Sequence, residues 1–441
     1  MTNTIIRNLG EGLVLRHSTA EDAEALAKFN REIHGEDEWD ARGIADWTLD
    51  LASGEGPTVA VGDFTVVEDT QAGEIVSSCC LISQTWAYEG IPFKVGRPEL
   101  VGTKKAYRRR GLVREQMEIL HQWSAARGEL VQVITGIPYY YRQFGYEMAI
   151  DLDGGRSGFK SHVPKLKDGE EEPYTLRKAA EQDIPFLMAA YEHGCQRSMI
   201  HSVWDEQLWL YELSGKRKYN IDRREVFIIV DRDGKQAGFI GIPPIKWGDK
   251  STLTVYELAP GFSWSAVTPS VIRFLWEIGE ELAKGQNQHQ EKFGFWLGAS
   301  HPAYEVCTSR LPEISKPYAF YVRVPDLVAL LLVISPALEN RLLASAFAYY
   351  SGEVKLNFYR EGLTLGFADG RLEKIEKLGP DSLEKASAVF PDRVFLQLLF
   401  GYRSMDELDH AFADCYAKNG ETKQLLNVLF PKKHAEVWAI A

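Results

Sequence analysis

Apolar and polar positions alternate with a period of two over residues 13–17, which predicts a strand, and then shift to helical spacing. Ser18 or Thr19 offers a helix cap, Glu21 and Asp22 supply first-turn acids, and Ala23, Leu26, Ala27 and Phe29 form an apolar stripe reaching Ile33. Strands follow at 64–68 and 74–83 around a turn at 69–73, then a hairpin turn at Tyr88-Glu89-Gly90 and a strand at 98–103. From Val113 on, Met117, Leu120 and Trp123 recur at helical spacing, and Arg127-Gly128 puts a cation in the last turn with a glycine beyond it. A strand at 130–135 and a tyrosine-rich segment complete the order β-α-β-β-β-α-β-α over residues 1–155.

Residues 153–173 are rich in glycine and charge and read as a linker. The pattern then restarts over 156–323: residues 174–177 mirror the first strand and Ala180-Glu181-Gln182-Asp183 mirrors the helix entry. A hairpin is expected from 225–230 and 236–242, then a strand at 253–258 and a helix over 269–284. Residues 324–441 change character. Short strands at 354–358, 362–367 and 370–374 precede helices at 381–388, 392–400, 404–413 and 422–429, the pattern of an α+β layer. The longest apolar run, 327–334, is far too short to span a bilayer.

A chain of 441 residues has room for two to four domains, and 45% hydrophobic with 25% charged residues is ordinary globular composition. The net charge of −12 argues against a nucleic-acid partner and suits cationic small molecules or basic peptides. The five cysteines (Cys79, Cys80, Cys195, Cys307, Cys415) lack metal-ligand spacing, and their odd number gives no disulfide framework. Cys79 and Cys80 read as small buried hydrophobes. No His/Glu cluster implies a metal, and no serine, cysteine or histidine lies in a hydrolase-type elbow. Residues 1–12 lack a basic region and a long apolar core, so the chain is expected to carry no signal peptide, to stay off membranes and to be cytoplasmic.

The chemistry gathers at Val101-Gly102-Thr103-Lys104-Lys105-Ala106-Tyr107-Arg108-Arg109-Arg110-Gly111-Leu112-Val113-Arg114, a strand end, a basic loop and the first turn of a helix. Free backbone N–H groups, the positive end of the helix dipole and guanidinium charge all point at whatever lies in front, and a phosphate or pyrophosphate is the natural occupant. Taken alone the stretch could equally be a solvated basic turn. About thirty residues later comes Tyr139-Tyr140-Tyr141-Arg142-Gln143-Phe144-Gly145-Tyr146. Arg-x-x-Gly-x-Val opening a helix, with Tyr-x-x-Phe-Gly-Tyr after the next strand, resembles the GNAT superfamily of acyl-CoA-dependent N-acetyltransferases.

That resemblance implies acetyl-CoA as co-substrate. The backbone of Val101, Gly102 and Thr103 would pair with the pantetheine arm, Arg109, Arg110, Gly111, Leu112, Val113 and Arg114 would cradle the pyrophosphate, and Gly136 and Ile137 would add further contacts. Val113 stands where the family commonly has a small residue. Tyr141, four residues before Gly145, has the spacing of the family's general acid, whereas Tyr139 and Tyr140 read as core or lining residues. In the acidic, aromatic segment after the first helix, His34, Glu36 and Asp37 would meet the acceptor, although a solvated acidic face and a structural histidine are the plainer readings. The second unit has Ala259-Pro260-Gly261-Phe262-Ser263-Trp264 where a cradle would stand, so it resembles a GNAT fold that has lost its CoA site.

Residues 324–441 resemble the sterol-carrier-protein-like fold in Phe390-Pro391, the segment 395–402, Leu429-Phe430-Pro431 and Trp438. Tandem GNAT folds (1–155 active, 156–323 degenerate) followed by such a domain, α/β and α+β in class, together resemble the enhanced-intracellular-survival family of bacterial acetyltransferases. This implies acetylation of amines on small cationic molecules such as aminoglycosides or polyamines, and a homo-oligomer, hexameric in that family. It also implies the C-terminal carboxylate, here that of Ala441, as general base, although the family's usual terminal aromatic is absent. The competing readings are a lipid or hydrophobic-ligand binder and a protein or peptide N-acetyltransferase.

Overall fold

The computed structural model describes residues 5–137, 139–246, 248–379 and 384–438. Its first segment runs β1 (Ile5–Gly10), β2 (Leu13–His17), α1 (Ala23–His34), α2 (Glu38–Ser53), β3 (Phe64–Asp69), β4 (Glu74–Tyr88) and β5 (Ile91–Thr103). It continues through α3 (Leu112–Ala126), β6 (Val131–Ile134) and β7 (Glu147–Leu152). Glu89 (φ +46°) and Gly90 (φ +85°) make the two-residue turn that lets β4 and β5 pair antiparallel back to Tyr88 and Ile91. Leu112, Met117, Ile119 and Leu120 bury one face of α3 against the sheet, each such side chain stabilising by about 1.5–3 kcal/mol. Gln116, also buried, donates to the Ser77 hydroxyl at 2.7 Å and accepts from Thr65 at 3.1 Å, fixing the helix in register with β3 and β4.

The second segment comprises β8 (Gly155–Phe159), β9 (Tyr174–Lys178), α4 (Ile184–Cys195), β10 (Ile200–Ser202), α5 (Glu206–Leu210), β11 (Glu225–Asp231), β12 (Gln236–Ile242), β13 (Lys250–Leu253) and β14 (Val255–Leu258). After these come α6 (Trp264–Gly285), β15 (Lys292–Phe295), α7 (Pro302–Cys307), β16 (Glu313–Ser315) and β17 (Tyr318–Arg323). Its entry repeats that of the first segment at atomic detail. Arg16 forks onto Asp22 at 2.7 and 2.8 Å, Arg177 onto Asp183 at 2.7 and 2.7 Å, and each aspartate caps an amide three residues before it. The expected strand at 253–258 is broken at Thr254, which sends β13 and β14 into different sheets.

The expected linker at 153–173 is partly a strand. β8 pairs with β15 and β16, and its glycines answer a steric demand: a Cβ at Gly155 would lie 2.1 Å from the Phe295 carbonyl and one at Gly158 2.1 Å from that of Arg310. In the other direction, β17 leaves the second segment and inserts between β6 and β7. The first sheet thus runs β1-β2-β3-β4-β5-β6-β17-β7, with β10 attached to β4.

The last segment opens with α8 (Leu327–Leu343), which the apolar run at 327–334 hid because it shows almost no amphipathic period. It continues through β18 (Gly352–Asn357), β19 (Gly362–Ala368), β20 (Arg371–Leu378), β21 (Ala388–Val389), α9 (Phe395–Leu399), α10 (Met405–Ala411), β22 (Tyr416–Ala417), α11 (Gly420–Leu429) and β23 (Ala435–Glu436). Of the helix expected at 381–388, the described part holds only a 3-10 turn at 384–385. Residues 381–383 lie outside the described residues, and Ala388 pairs with Leu356 as the start of β21. One continuous core joins Val95, Val133 and Phe320 of the first sheet to Leu331 and Leu338 of α8 and Leu365 and Phe395 of the last layer.

Candidate active site

β5 is parallel to β6 only at Val95–Val131 and Gly96–Gln132, and beyond that point the two strands splay. On its other edge β5 bulges against Cys79, with Leu100 at φ +52°. A buried leucine in that region is strained, and such strain persists where the surroundings over-determine it. The Ser77 hydroxyl holds the bulge by donating to the Gly102 carbonyl at 2.7 Å.

The splay opens into a cavity of about 580 Å3. Its walls include Val101, Gly102 and Thr103 from the strand, Arg109, Gly111, Leu112, Val113 and Arg114 from the loop and α3, and His34, Ile137 and Tyr141. Arg109 (φ +66°) and Gly111 (φ +79°) both adopt the left-handed conformation, which turns successive amides into an anion-binding concavity at the N-terminus of α3. A Cβ on Gly111 would meet nothing within 4 Å, so the space in front of it is open. Arg114 is steadied by donating to Gln143 at 3.0 Å. Arg110 is not in the wall; its guanidinium pairs with Glu11. The residues present fit a pyrophosphate-bearing donor.

Tyr141 is buried, and burial pushes its phenol far above the usual tyrosine range, so it keeps its proton. It packs against Gly136 (φ +128°), where a Cβ would stand 3.0 Å from its ring. Tyr140 also lines the cavity, whereas Tyr139 is exposed. Near Tyr141, Glu99 accepts from Arg97 at 2.8 Å and from Thr135 at 3.3 Å, bridging the splayed strands. Burial also lowers the basicity of His34, whose Nε2 is buried without a hydrogen-bond partner beside Gly102.

The acidic segment after α1 is a helix entry. Asp37 caps α2 through the Asp40 amide at 2.8 Å, Glu36 is exposed, and neither lines the cavity. Further along α2, Asp50 accepts from the Asn220 side chain at 2.6 Å and from the Arg217 amide at 2.9 Å, so this acid holds the second segment. Sequence reasoning also missed Tyr107, Arg108, Gln143 and Phe144 in the cavity wall and two tyrosines of β17. The wall residues lie inside the two motifs and were within reach. The β17 tyrosines carry no local signal.

The tail is anchored as far as Trp438. β23 runs parallel to β10, the Ser202 hydroxyl donates to the Trp438 carbonyl at 2.9 Å, and Trp438 stacks on Trp204 with centroids 4.1 Å apart. Ala441 lies outside the described residues. Where a second cradle would stand, before α6, Trp264 packs edge-on against Tyr256 and His301. Among the described residues no group of His, Cys, Asp or Glu side chains could hold a metal ion, and no helix is long and apolar enough to cross a membrane.

Residues 16–149 match the family model described as an acetyltransferase (GNAT) domain. Over these residues the chain carries a GNAT acetyltransferase domain and is an enzyme of the acyltransferase class; GNAT acetyltransferases use acetyl-CoA. In structure it is similar to a GCN5-related N-acetyltransferase from Kribbella flavida, with 16% identity, a TM-score of 0.64, and 97% of this chain and 98% of that one covered. A GCN5-related N-acetyltransferase from Anabaena variabilis shows 14% identity, a TM-score of 0.64 and 97% and 99% coverage. Eis1 from Mycobacterium abscessus shows 12% identity, a TM-score of 0.62 and 97% and 100% coverage. No curated protein matches the sequence.

Proposed function

We propose that the chain is an acetyl-CoA-dependent N-acetyltransferase acting on amines of small cationic molecules, aminoglycoside-like or polyamine-like. One observation carries this reading: the left-handed cradle at Arg109 and Gly111, the splayed end of β5 and the protonated Tyr141 share one cavity. In this reading residues 1–155 hold the active unit, 156–323 a GNAT-like unit without a donor site and 324–441 a sterol-carrier-protein-like layer. The protein works in the cytoplasm as a homo-oligomer.

The amides around Gly111, with Arg109 and Arg114, take the pyrophosphate, and the backbone from Val101 to Thr103 orients the pantetheine arm. Gly136 and Ile137 flank the thioester. The acceptor amine enters past His34 and must be unprotonated, although an ordinary lysine-like amine has a pKa of about 10.4. Its attack on the thioester carbonyl forms the C–N bond. Collapse of the adduct breaks the C–S bond, and Tyr141 gives its hydroxyl proton to the departing sulfur. The ammonium proton passes to the Ala441 carboxylate, which stands three residues past the anchored Trp438, a reach of about 10 Å at most. The net charge of −12 favours cationic acceptors.

A lipid-binding role finds less support. The cavity in the last layer holds about 250 Å3, and beside apolar Leu327, Val328, Phe358, Leu363, Phe395 and Leu396 its lining carries Asp326, Glu361, Lys377, Asp392 and Arg393, charges that a lipid would have to desolvate. Amine-dependent CoA release across aminoglycosides, polyamines and basic peptides tests the proposal. Turnover on the small amines supports it, and turnover on peptides alone contradicts it.

A further inference from the structure

The turn carrying Tyr141 is gripped from outside its own unit. On the stretch leading into that turn, the Tyr318 hydroxyl donates to the Gly136 carbonyl and the Tyr321 hydroxyl accepts from the Tyr139 amide at 2.6 Å. Tyr139 stands at φ +63°, a conformation a tyrosine holds only under constraint. Tyr321 is almost wholly buried and also rests its ring against that of Tyr141, with centroids 6.1 Å apart and planes tilted by 57°. Both gripping residues come from β17, which returns to the first sheet only after the whole second segment.

We propose that Tyr321 is a positioning residue for acetyl transfer: by holding the Tyr139 amide and buttressing the Tyr141 ring, it fixes where the Tyr141 hydroxyl delivers its proton. The inference rests on the reading of Tyr141 as general acid. Proton delivery to a departing sulfur depends on placement, and a displacement of about 1 Å costs on the order of a hundredfold in rate. Tyr321 does not line the cavity, so its effect passes through Tyr141. Replacing it with phenylalanine keeps the ring and the packing and removes only the acceptor oxygen. Tyr139 itself is exposed and the substitution leaves the ring of Tyr321 in the core, so the fold is expected to survive the change, which Tm checks. Tyr318→Phe releases the second hold on the entry to the same turn, at Gly136, and serves as the companion variant.

The test compares wild type, Tyr321→Phe, Tyr318→Phe, Tyr141→Phe and the Tyr141→Phe/Tyr321→Phe double variant for kcat, KM and Tm. Tyr321→Phe is expected to lower kcat about tenfold, with the acetyl-CoA KM and Tm at wild-type values. Tyr318→Phe gives a smaller loss of the same kind. The decisive expectation is that Tyr321→Phe has no further effect once Tyr141 is phenylalanine. An equal loss in both backgrounds, a wild-type kcat in Tyr321→Phe, or a loss confined to Tm would overturn the positioning role while leaving Tyr141 as the acid. Full activity in Tyr141→Phe would instead remove the acid assignment, and the positioning role with it.

Discussion

Gly111 sits at φ +79° with open space where a side chain would begin, so its lack of a Cβ suits the backbone here and, in the proposed function, leaves room for the pyrophosphate. Gly111→Ala is expected to weaken acetyl-CoA binding about tenfold, because a strained left-handed alanine costs roughly 1–2 kcal/mol and its methyl enters the pyrophosphate space. Calorimetry checks this, and an unchanged affinity with an intact fold contradicts the cradle. Tyr141→Phe should lower kcat by roughly 10²–10⁴ while leaving acetyl-CoA affinity alone; a greater loss in Tyr140→Phe would move the acid by one residue. Motif spacing singled out Gly111 and Tyr141, which line one cavity, because both motifs are local. It could not tell Arg109 from Arg110, since only the fold turns one into the cavity and the other onto Glu11. Nor could it show that Asp37 is a helix cap, because an N-cap and a ligand contact use the same carboxylate.

At the scale of elements, the tail strand β23 carries a titration of its own. Glu436 faces Glu257 and His301 and lies within the fields of Arg197, Tyr191, Cys195 and Tyr304, with His434 beside it. Burial, reinforced by Glu257, raises its carboxyl from the ordinary 4.5 to about 7. An acid raised in the fold stabilises most below its unfolded value and loses that contribution as pH climbs through its folded one. Between pH 4.5 and about 7, Tm should therefore fall more steeply in wild type than in Glu436→Gln. Parallel profiles would contradict the assignment. Strands and helices with clean periods, such as β2, α1 and α3, were readable from the chain. β8 and α8 were not: the glycines of β8 answer close backbone approach and imitate a linker, and α8 buries one face but carries Leu332, Val333 and Leu343 on its exposed face, so its period vanishes.

Across the whole molecule, the exchange of β17 into the first sheet and the continuous core under α8 tie the candidate site to segments far along the chain. Such long-range pairing leaves no trace in local pattern, whereas the duplicated Arg–Asp entry does. Acetyl-CoA should bind once per chain, because Trp264 packs edge-on against Tyr256 and His301 where a second cradle would form; two equivalent sites by calorimetry would contradict this. Deleting Ile440 and Ala441, or adding a C-terminal tag, should suppress transfer without weakening acetyl-CoA binding, and unchanged turnover in both would remove the carboxylate from the mechanism. The central claim is amine acetylation in the β5–β6 cleft, and one measurement meets it directly: amine-dependent release of CoA by wild type and Tyr141→Phe, with acetyl-CoA binding followed in parallel. The account predicts release by wild type with a polyamine or aminoglycoside and a loss of at least about a hundredfold in the variant at unchanged affinity. A wild-type protein that binds acetyl-CoA yet transfers to no amine would contradict it.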